Sequence, residues 1–245
     1  MPASLAEIFS SIQGEGIYAG VKQVFLRLTG CNLACGYCDT PLPQVVPRCR
    51  VERSPGRRDY EYYDNPLDED TVSRIVHSYG LPLHHSVSFT GGEPLLHPET
   101  IRALVPLLRG ARRGIYLETN GTRPDELAAV IGLVDIVAMD IKLPSVTGMP
   151  PRWEEHSRFL AVASRKEVFV KIVVGEETTE QEIITAARLV ETAGADIPLV
   201  IQPVTRAGGK LGITPGRLLD FQRIALQKLV DVRVIPQTHK TTGQL

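Results

Sequence analysis

Segments with the character of β-strands alternate with helical segments along most of the 245-residue chain. The apolar, β-branched segments typical of strands are 24–29, 87–90, 114–118, 134–140, 168–174, 198–203 and 232–235. Helical patterns, several opened by proline or a capping residue, occupy 68–77, 98–108, 124–131, 151–163, 178–193 and 218–229. This alternation predicts an α/β fold with a parallel sheet and crossover helices, either closed or partly closed as a barrel, or open and doubly wound.

The composition is that of an ordinary soluble globular protein. Hydrophobic residues make up 43% of the chain and the formal net charge is −1, so no nucleic-acid surface is implied. The sequence shows neither a signal peptide nor the roughly 20 apolar residues that span a membrane. We therefore expect a cytoplasmic protein with one domain over residues 1–245 and an irregular insertion or flap at about 41–66.

Three of the four cysteines, Cys31, Cys35 and Cys38, lie within eight residues. Thiolate is the soft ligand that iron–sulfur clusters require, and a four-iron cluster normally takes one cysteine for each iron. Three cysteines without a nearby fourth ligand would leave one iron with no protein ligand, and therefore with an open coordination position. Since a catalytic metal site keeps an open position where a structural site does not, we expect chemistry at this loop.

Two simpler interpretations of the cysteines stay open. Zinc commonly explains close thiol pairs in intracellular chains, and Cys49 or a distant histidine could complete such a site. Structural zinc usually draws a second pair of ligands, whereas Cys49 stands alone in a stretch rich in arginine and proline. Disulfides fit less well, because a chain of this length buries its own core and four cysteines are few for a secreted scaffold.

Polar residues collect where the predicted strands end. They are Arg27, Thr90-Gly91-Gly92-Glu93, Glu118, Asp140-Ile141-Lys142, Lys171 and Gln202. Because the C-terminal ends of parallel strands share a face, these residues predict one common site. The paired glycines would let a ligand approach the main chain, although the sequence contains neither a dinucleotide fingerprint nor a P-loop.

Taken together, these residues resemble the radical S-adenosylmethionine (SAM) superfamily. Its members carry a Cys-x-x-x-Cys-x-x-Cys loop after the first strand, commonly with an aromatic residue before the last cysteine, as Tyr37 is here. The resemblance implies a partial (β/α)6 barrel and a [4Fe-4S] cluster held by Cys31, Cys35 and Cys38. It also implies that SAM binds the open iron and is cleaved reductively to a 5′-deoxyadenosyl radical, so that no side chain is itself the catalyst. The implied SAM pocket consists of Tyr37, Cys38, Asp39, Gly91, Gly92, Glu93, Asp140, Ile141 and Lys142.

Within that superfamily, the chain is similar to the 7-carboxy-7-deazaguanine synthases. Four matches carry this resemblance: Ile12-Gln13-Gly14-Glu15-Gly16, Arg27, Cys38-Asp39-Thr40 and Gln237-Thr238-His239-Lys240. It implies conversion of 6-carboxy-5,6,7,8-tetrahydropterin to 7-carboxy-7-deazaguanine with loss of ammonia, a step in queuosine and 7-deazapurine biosynthesis. The product would serve either transfer-RNA modification or secondary metabolism.

The family's binding residues carry over to matching positions. The implied substrate contacts are Ile12, Gln13, Gly14, Glu15, Arg27, Thr90, His239 and Leu245. Of these, Thr90 lies at the end of the second predicted strand. His239 and Leu245 belong to the C-terminal segment at about 236–245. Arg27 offers a planar, two-pronged donor to the substrate carboxylate, and Glu15 would accept from the amino-pyrimidinone nitrogens. The hydroxyl of Thr40 would bind Mg²⁺, a hard ion that prefers oxygen. As a structural alternative, Arg27 would pair with Glu118 inside the barrel.

The resemblance further implies an external electron donor, flavodoxin-like or ferredoxin-like, and a homodimer, with no nucleic-acid or membrane partner.

Two other functions stay open. A glycyl-radical-enzyme activating enzyme shares the cysteine loop but acts on a protein backbone, whereas Arg27 and Gln13–Glu15 favour a small anionic substrate. A non-catalytic zinc-binding module is the other. The segment after Thr40 and the polar end 241–245 both depart from the family pattern.

Overall fold

The computed structural model describes residues 4–38, 40 and 43–243. In this part of the chain the strands are β1 (Leu5–Ile12), β2 (Lys22–Leu28), β3 (Arg48–Glu52), β4 (Tyr60–Asp64), β5 (Ser86–Gly91), β6 (Ile115–Thr119), β7 (Ile136–Ile141), β8 (Glu167–Val174), β9 (Leu199–Pro203) and β10 (Val232–Val234). The helices are α1 (Glu69–Ser78), α2 (Pro98–Leu104), α3 (Pro124–Val130), α4 (Pro144–Thr147), α5 (Trp153–Ala163), α6 (Glu180–Ala193), α7 (Pro215–Leu226) and α8 (Thr238–Thr242).

All of these strands join one sheet in the order β10-β9-β8-β7-β6-β5-β2-β1-β3-β4. In the part of the sheet from β10 to β2, every neighbouring pair of strands is parallel. Helices lie in the crossovers, as the alternating sequence pattern predicts. On the other side, β1 runs antiparallel to β2, while β3 runs parallel to β1 and antiparallel to β4. Because β10 and β4 remain separate edges, the sheet is an unclosed barrel, and the predicted α/β fold is confirmed.

Both ends of each of the seven predicted strands lie within two residues of the ends of an observed strand. Helix α7 begins earlier than its apolar periodicity suggests, because Pro215 occupies the first helical position directly after Thr214. Proline is favoured there since its missing N–H would have had no helical partner. Strand β1 and helices α4 and α8 were not predicted from the sequence.

Within the region predicted to be an irregular insertion, β3 and β4 form an antiparallel hairpin. Burial alternates over the first four residues of β3: Cys49 and Val51 are buried, whereas Arg48 and Arg50 reach solvent. This period of two is a strand signal that the surrounding arginines and prolines obscured. The fully buried Cys49 belongs to the hydrophobic core, and burial raises the pKa of its thiol to about 12.

A small aromatic cluster fills the barrel interior below the strand ends. Tyr116, Ile136, Phe169 and Val200 pack together there, and Tyr18 covers them. All four buried members come from the first half of their strands. The second halves of these strands are therefore available to line a cavity. Within the described residues, no helix is long and apolar enough to cross a bilayer.

Candidate active site

A cavity of about 780 Å³ opens at the C-terminal ends of the parallel strands. Its size lies within the range of about 300–1,000 Å³ typical of small-molecule sites. Most of the residues predicted for the site line it, namely Ile12, Gln13, Gly14, Glu15, Arg27, Cys31, Cys35, Tyr37, Cys38, Thr40, Thr90, Gly91, Gly92, Asp140, Lys142 and His239. Sequence positions more than 200 residues apart thus meet at one wall.

Four predicted residues stand apart from this set. Asp39 and Leu245 lie outside the described residues. The side chain of Ile141 is fully buried in the core, and the carboxylate of Glu93 is fully buried among backbone donors. Neither side chain reaches the cavity, so a cofactor contact from either residue would have to use its backbone.

The cysteine loop packs against the ends of β2 and β5. A Cβ on Gly92 would lie 1.8 Å from the carbonyl oxygen of Gly30, so only glycine permits this approach. On the far side of the loop, the backbone N–H of Gly36 donates to the carbonyl of Thr147 at 2.9 Å. Cys31 and Cys35 are half-buried, and burial raises the pKa of both thiols.

The arrangement of the cysteines fits a multinuclear cluster. Among the described residues, no three His, Cys, Asp or Glu side chains converge as ligands of one metal ion would. In a four-iron cluster each thiolate binds a different iron, so the sulfurs do not have to converge. Cys31, Cys35 and Cys38 all line the cavity, while Cys49 lies in the core. The residues present therefore fit a [4Fe-4S] cluster facing the cavity.

A chain of alternating charges runs along the cavity wall from β7 to β8. The ammonium of Lys142 lies 2.7 Å from the carboxylate of Asp140, whose other oxygen lies 3.4 Å from the ammonium of Lys171. Lys171 in turn forms an ion pair with Glu15. Burial favours the neutral forms, but the opposite charges outweigh it: the pKa of Glu15 falls to about 2, and the pKa values of both lysines rise. Glu15, Lys142 and Lys171 are therefore charged at neutral pH.

Tyr37, in the cysteine loop, continues this charged row. Its hydroxyl lies 3.3 Å from the ammonium of Lys142, which also sits 5.4 Å from the ring centroid. Burial raises the pKa of Tyr37 to about 12, so its hydroxyl stays protonated. The polar wall is thereby linked to the cysteine loop.

Gln13 binds the side chain of Glu118 and the backbone of Glu15. Its amide nitrogen donates to the carboxylate of Glu118 at 2.6 Å, and its amide oxygen accepts from the backbone N–H of Glu15 at 3.0 Å. The second oxygen of Glu118 accepts from the hydroxyl of Thr90 at 2.6 Å. The motif residue Gln13 thus acts on its neighbours, and the carboxylate of Glu118 is presented at the cavity wall.

Arg27 lines the cavity but does not pair with Glu118. Its Nε donates instead to the carboxylate of Glu7 at 2.9 Å, and its guanidinium lies 5.5 Å from the ring centroid of Phe9. Among the described contacts, Nε is the only nitrogen of Arg27 that makes a hydrogen bond. The guanidinium is therefore oriented and still has Nη donors for a ligand.

The C-terminal segment docks on the motif before β2. Gly14 accepts at its carbonyl oxygen from the backbone N–H of Thr238 at 2.9 Å, and Gln237 donates to the carboxylate of Glu15 at 2.7 Å. A Cβ on Gly14 would lie 2.1 Å from Nδ1 of His239. Two motifs from opposite ends of the sequence therefore pack directly against each other.

Several residues of the site were not assigned from the sequence. Glu118, Lys171 and Gln202 were grouped at strand ends but received no role, although all three line the cavity. Asn120 also lines it, and its amide donates to the side-chain oxygen of Asn32 in the cysteine loop at 2.9 Å. Glu7 was missed because β1 itself was not predicted.

Comparison with known proteins agrees with this geometry. The family model described as the Radical SAM superfamily matches residues 26–190. The chain is 48% identical to the 7-carboxy-7-deazaguanine synthase of Geobacter sulfurreducens, across 99% of this chain and 98% of that protein. It is 35% identical to the enzyme of the same name from Methanopyrus kandleri, across 96% and 91% of the two chains.

Solved structures show the same fold at lower sequence identity. The crystal structure of QueE from Escherichia coli matches with a TM-score of 0.60 and 21% identity, covering 98% of this chain and 95% of that one. The structure of Streptococcus suis SuiB bound to S-adenosylmethionine matches with a TM-score of 0.53 and 15% identity, covering 84% of this chain and 48% of that one.

Proposed function

The chain belongs to the radical SAM superfamily and, within it, to the 7-carboxy-7-deazaguanine synthase family, and from this membership we propose that it converts 6-carboxy-5,6,7,8-tetrahydropterin to 7-carboxy-7-deazaguanine with loss of ammonia. The observation that supports this most strongly is the composition of one cavity. It is lined both by the three clustered cysteines and by Arg27, Glu15 and Glu118, whose charges match a pterin that carries a carboxylate.

Cys31, Cys35 and Cys38 would hold a [4Fe-4S] cluster, and Tyr37, Gly91, Gly92, Asp140 and Lys142 would line the SAM site. When bound, the cluster and SAM supply a carbon-centred radical that takes hydrogen from the substrate. The largely buried Asp140–Lys142 pair would meet the charged end of the cofactor with fixed dipoles instead of mobile water. The two glycines leave room for close approach to the backbone.

Substrate recognition would use charges that are already oriented. Arg27 would donate through its Nη atoms to the substrate carboxylate, because Nε is occupied by Glu7. Glu15 stays ionised, and it would accept from the donor edge of the pterin beside its contacts to Lys171 and Gln237. The backbone of Gly14 and the ring of His239 lie at the same wall. A pterin bound there would meet donors and acceptors along one edge and Arg27 at its carboxylate.

Finer features of the proposed enzyme come from the family. We expect Mg²⁺ at Thr40, which lines the cavity, and an external flavodoxin-like or ferredoxin-like electron donor. A cytoplasmic location would keep the exposed thiol of Cys38 reduced. The expected homodimer is supported by Leu219 and Leu226, which lie seven residues apart on one exposed face of α7. A role of the product in transfer-RNA modification stays a prediction.

The substrate assignment is tested by Arg27→Ala in reconstituted, reduced enzyme. We expect no detectable turnover of 6-carboxytetrahydropterin, because the carboxylate loses its two-pronged partner, while reductive cleavage of SAM stays measurable. Arg48→Ala is the matched control, since it removes an arginine whose ion pair with Asp64 is exposed. Wild-type turnover by the Arg27→Ala enzyme would show that the substrate is misassigned.

A further inference from the structure

Three charged side chains form a row across the strands β2, β1 and β3. Glu7 on β1 lies opposite Arg27 on β2 in the antiparallel register and beside Arg50 on β3 in the parallel register. A register irregularity between Leu5 and Glu7 sits at the start of this row. Directly paired positions on neighbouring strands bring side chains on one face into contact, so the sheet itself holds the three charges together.

Glu7 divides its carboxylate between the two arginines. One oxygen accepts from Nε of Arg27 at 2.9 Å, and the other is in ion-pair contact with Arg50. Arg27 and Glu7 are largely buried, with side-chain exposures of 17% and 18%, whereas Arg50 is 38% exposed. Arg50 is also stacked on Tyr60 of β4, with its guanidinium carbon 4.6 Å from the ring centroid.

The charge balance of this row depends on Arg50. Glu7 and Arg27 alone would be a neutral pair, and a neutral pair attracts an anion weakly. With Arg50 the row carries a net charge of +1, so Arg27 keeps its attraction for a carboxylate. Partial burial makes this charge more effective than it would be in water, because the local dielectric constant is lower.

Orientation depends on the same contacts. The bond to Glu7 fixes Nε of Arg27, and the ring of Phe9 lies along the guanidinium. Phe9 is itself stacked on Phe25, with ring centroids 5.0 Å apart and planes 11° apart. Arg27, Phe9 and Phe25 all line the cavity, whereas Arg50 and Glu7 do not. Arg50 therefore does not line the cavity, and it is linked to Arg27 through their shared partner Glu7.

We propose that Arg50, carried by the β3–β4 hairpin, is a positioning residue that offsets Glu7 and so keeps Arg27 available for the carboxylate of the substrate. The inference rests on the proposed function and deepens it. It gives the hairpin a role in the site, namely selection for anionic over neutral pterins.

The test measures the dissociation constant of 6-carboxytetrahydropterin in cluster-containing, SAM-loaded, unreduced enzyme, where no turnover occurs. Arg50→Ala should weaken binding roughly tenfold, because Glu7 then neutralises Arg27. Arg50→Lys keeps the charge and should recover most of the affinity. Arg48→Ala, on the same strand with an exposed partner, should stay within about twofold of wild type.

Two further measurements separate charge from a general loss of structure. 6-Methyltetrahydropterin has no carboxylate, so it should bind wild type and Arg50→Ala equally. Adding Glu7→Gln to Arg50→Ala returns the row to its wild-type net charge of +1, so the double variant should bind the carboxypterin about as tightly as wild type. Equal affinities of the Arg50→Ala and Arg48→Ala enzymes, or equal losses with both pterins, would overturn the inference. Failure of the wild-type enzyme to bind the carboxypterin would instead overturn the proposed function, and this inference with it.

Discussion

Glu93 follows the paired glycines, yet its carboxylate stabilises the protein rather than facing the cavity. One oxygen accepts from the backbone N–H of Leu95 and from the hydroxyl of Thr119, both at 2.9 Å, and the other accepts from the backbone N–H of Asn120 at 2.7 Å. Burial raises the pKa of Glu93 to about 6 despite these donors. The residue therefore joins the ends of β5 and β6, which both border the cysteine loop.

Glu93→Gln should lower the free energy of unfolding by about 2 kcal/mol, because an NH₂ group would then face a buried donor. Urea denaturation measures this, with Glu99→Gln as the control, since Glu99 is half exposed and forms an ion pair with Arg102. A Glu93→Gln protein as stable as the Glu99→Gln protein would contradict this role.

His156 makes stability depend on pH. It is fully buried, one ring nitrogen lies 3.2 Å from the carbonyl of Asn120, and burial lowers its pKa to about 4. The unfolded chain, with a histidine pKa near 6.5, takes up a proton more readily, so stability is lost as pH falls from about 6.5 towards 4.

Between pH 7 and pH 5, wild type should lose about 2 kcal/mol more unfolding free energy than His156→Gln, which has no group titrating there. Urea denaturation at the two pH values gives this difference. Parallel losses in the two proteins would mean that His156 is not the buried neutral group responsible.

At the scale of the elements, the ends of β2 and β5 must touch for the cysteine loop to take its shape. Gly92→Ala would place a Cβ against the carbonyl of Gly30, so we expect the variant to retain much less iron after reconstitution. Gly132→Ala is the matched control, because a Cβ there meets no atom within 4 Å. Equal iron content and equal visible absorption spectra in the two variants would contradict this expectation.

Sequence alone predicted the parallel strands and most helices because their apolar periodicity is strong and local. It missed β1 and the β3–β4 hairpin, whose strands are placed by their pairing to β2 and to each other. It predicted the members of the site from motifs but not their partners. Glu7 is visible as a partner of Arg27 only once the register is known, and the pairing of Arg27 with Glu118 was the wrong alternative.

For the whole molecule, the decisive question is which metal the cysteines hold. Anaerobically purified or reconstituted protein should contain about four iron and four labile sulfide per chain. Cys35→Ala should lose most of this content, whereas Cys49→Ala should keep it because Cys49 lies in the core. Stoichiometric zinc without labile sulfide would restore the interpretation as a zinc-binding module.

The most direct test of the proposed function is product analysis. Reconstituted enzyme is incubated anaerobically with reductant, SAM, Mg²⁺ and 6-carboxytetrahydropterin, and the mixture is analysed by mass spectrometry. We predict 7-carboxy-7-deazaguanine and released ammonia in more than one turnover per chain. Reductive cleavage of SAM with no deazaguanine formed from the carboxypterin would contradict the proposed function.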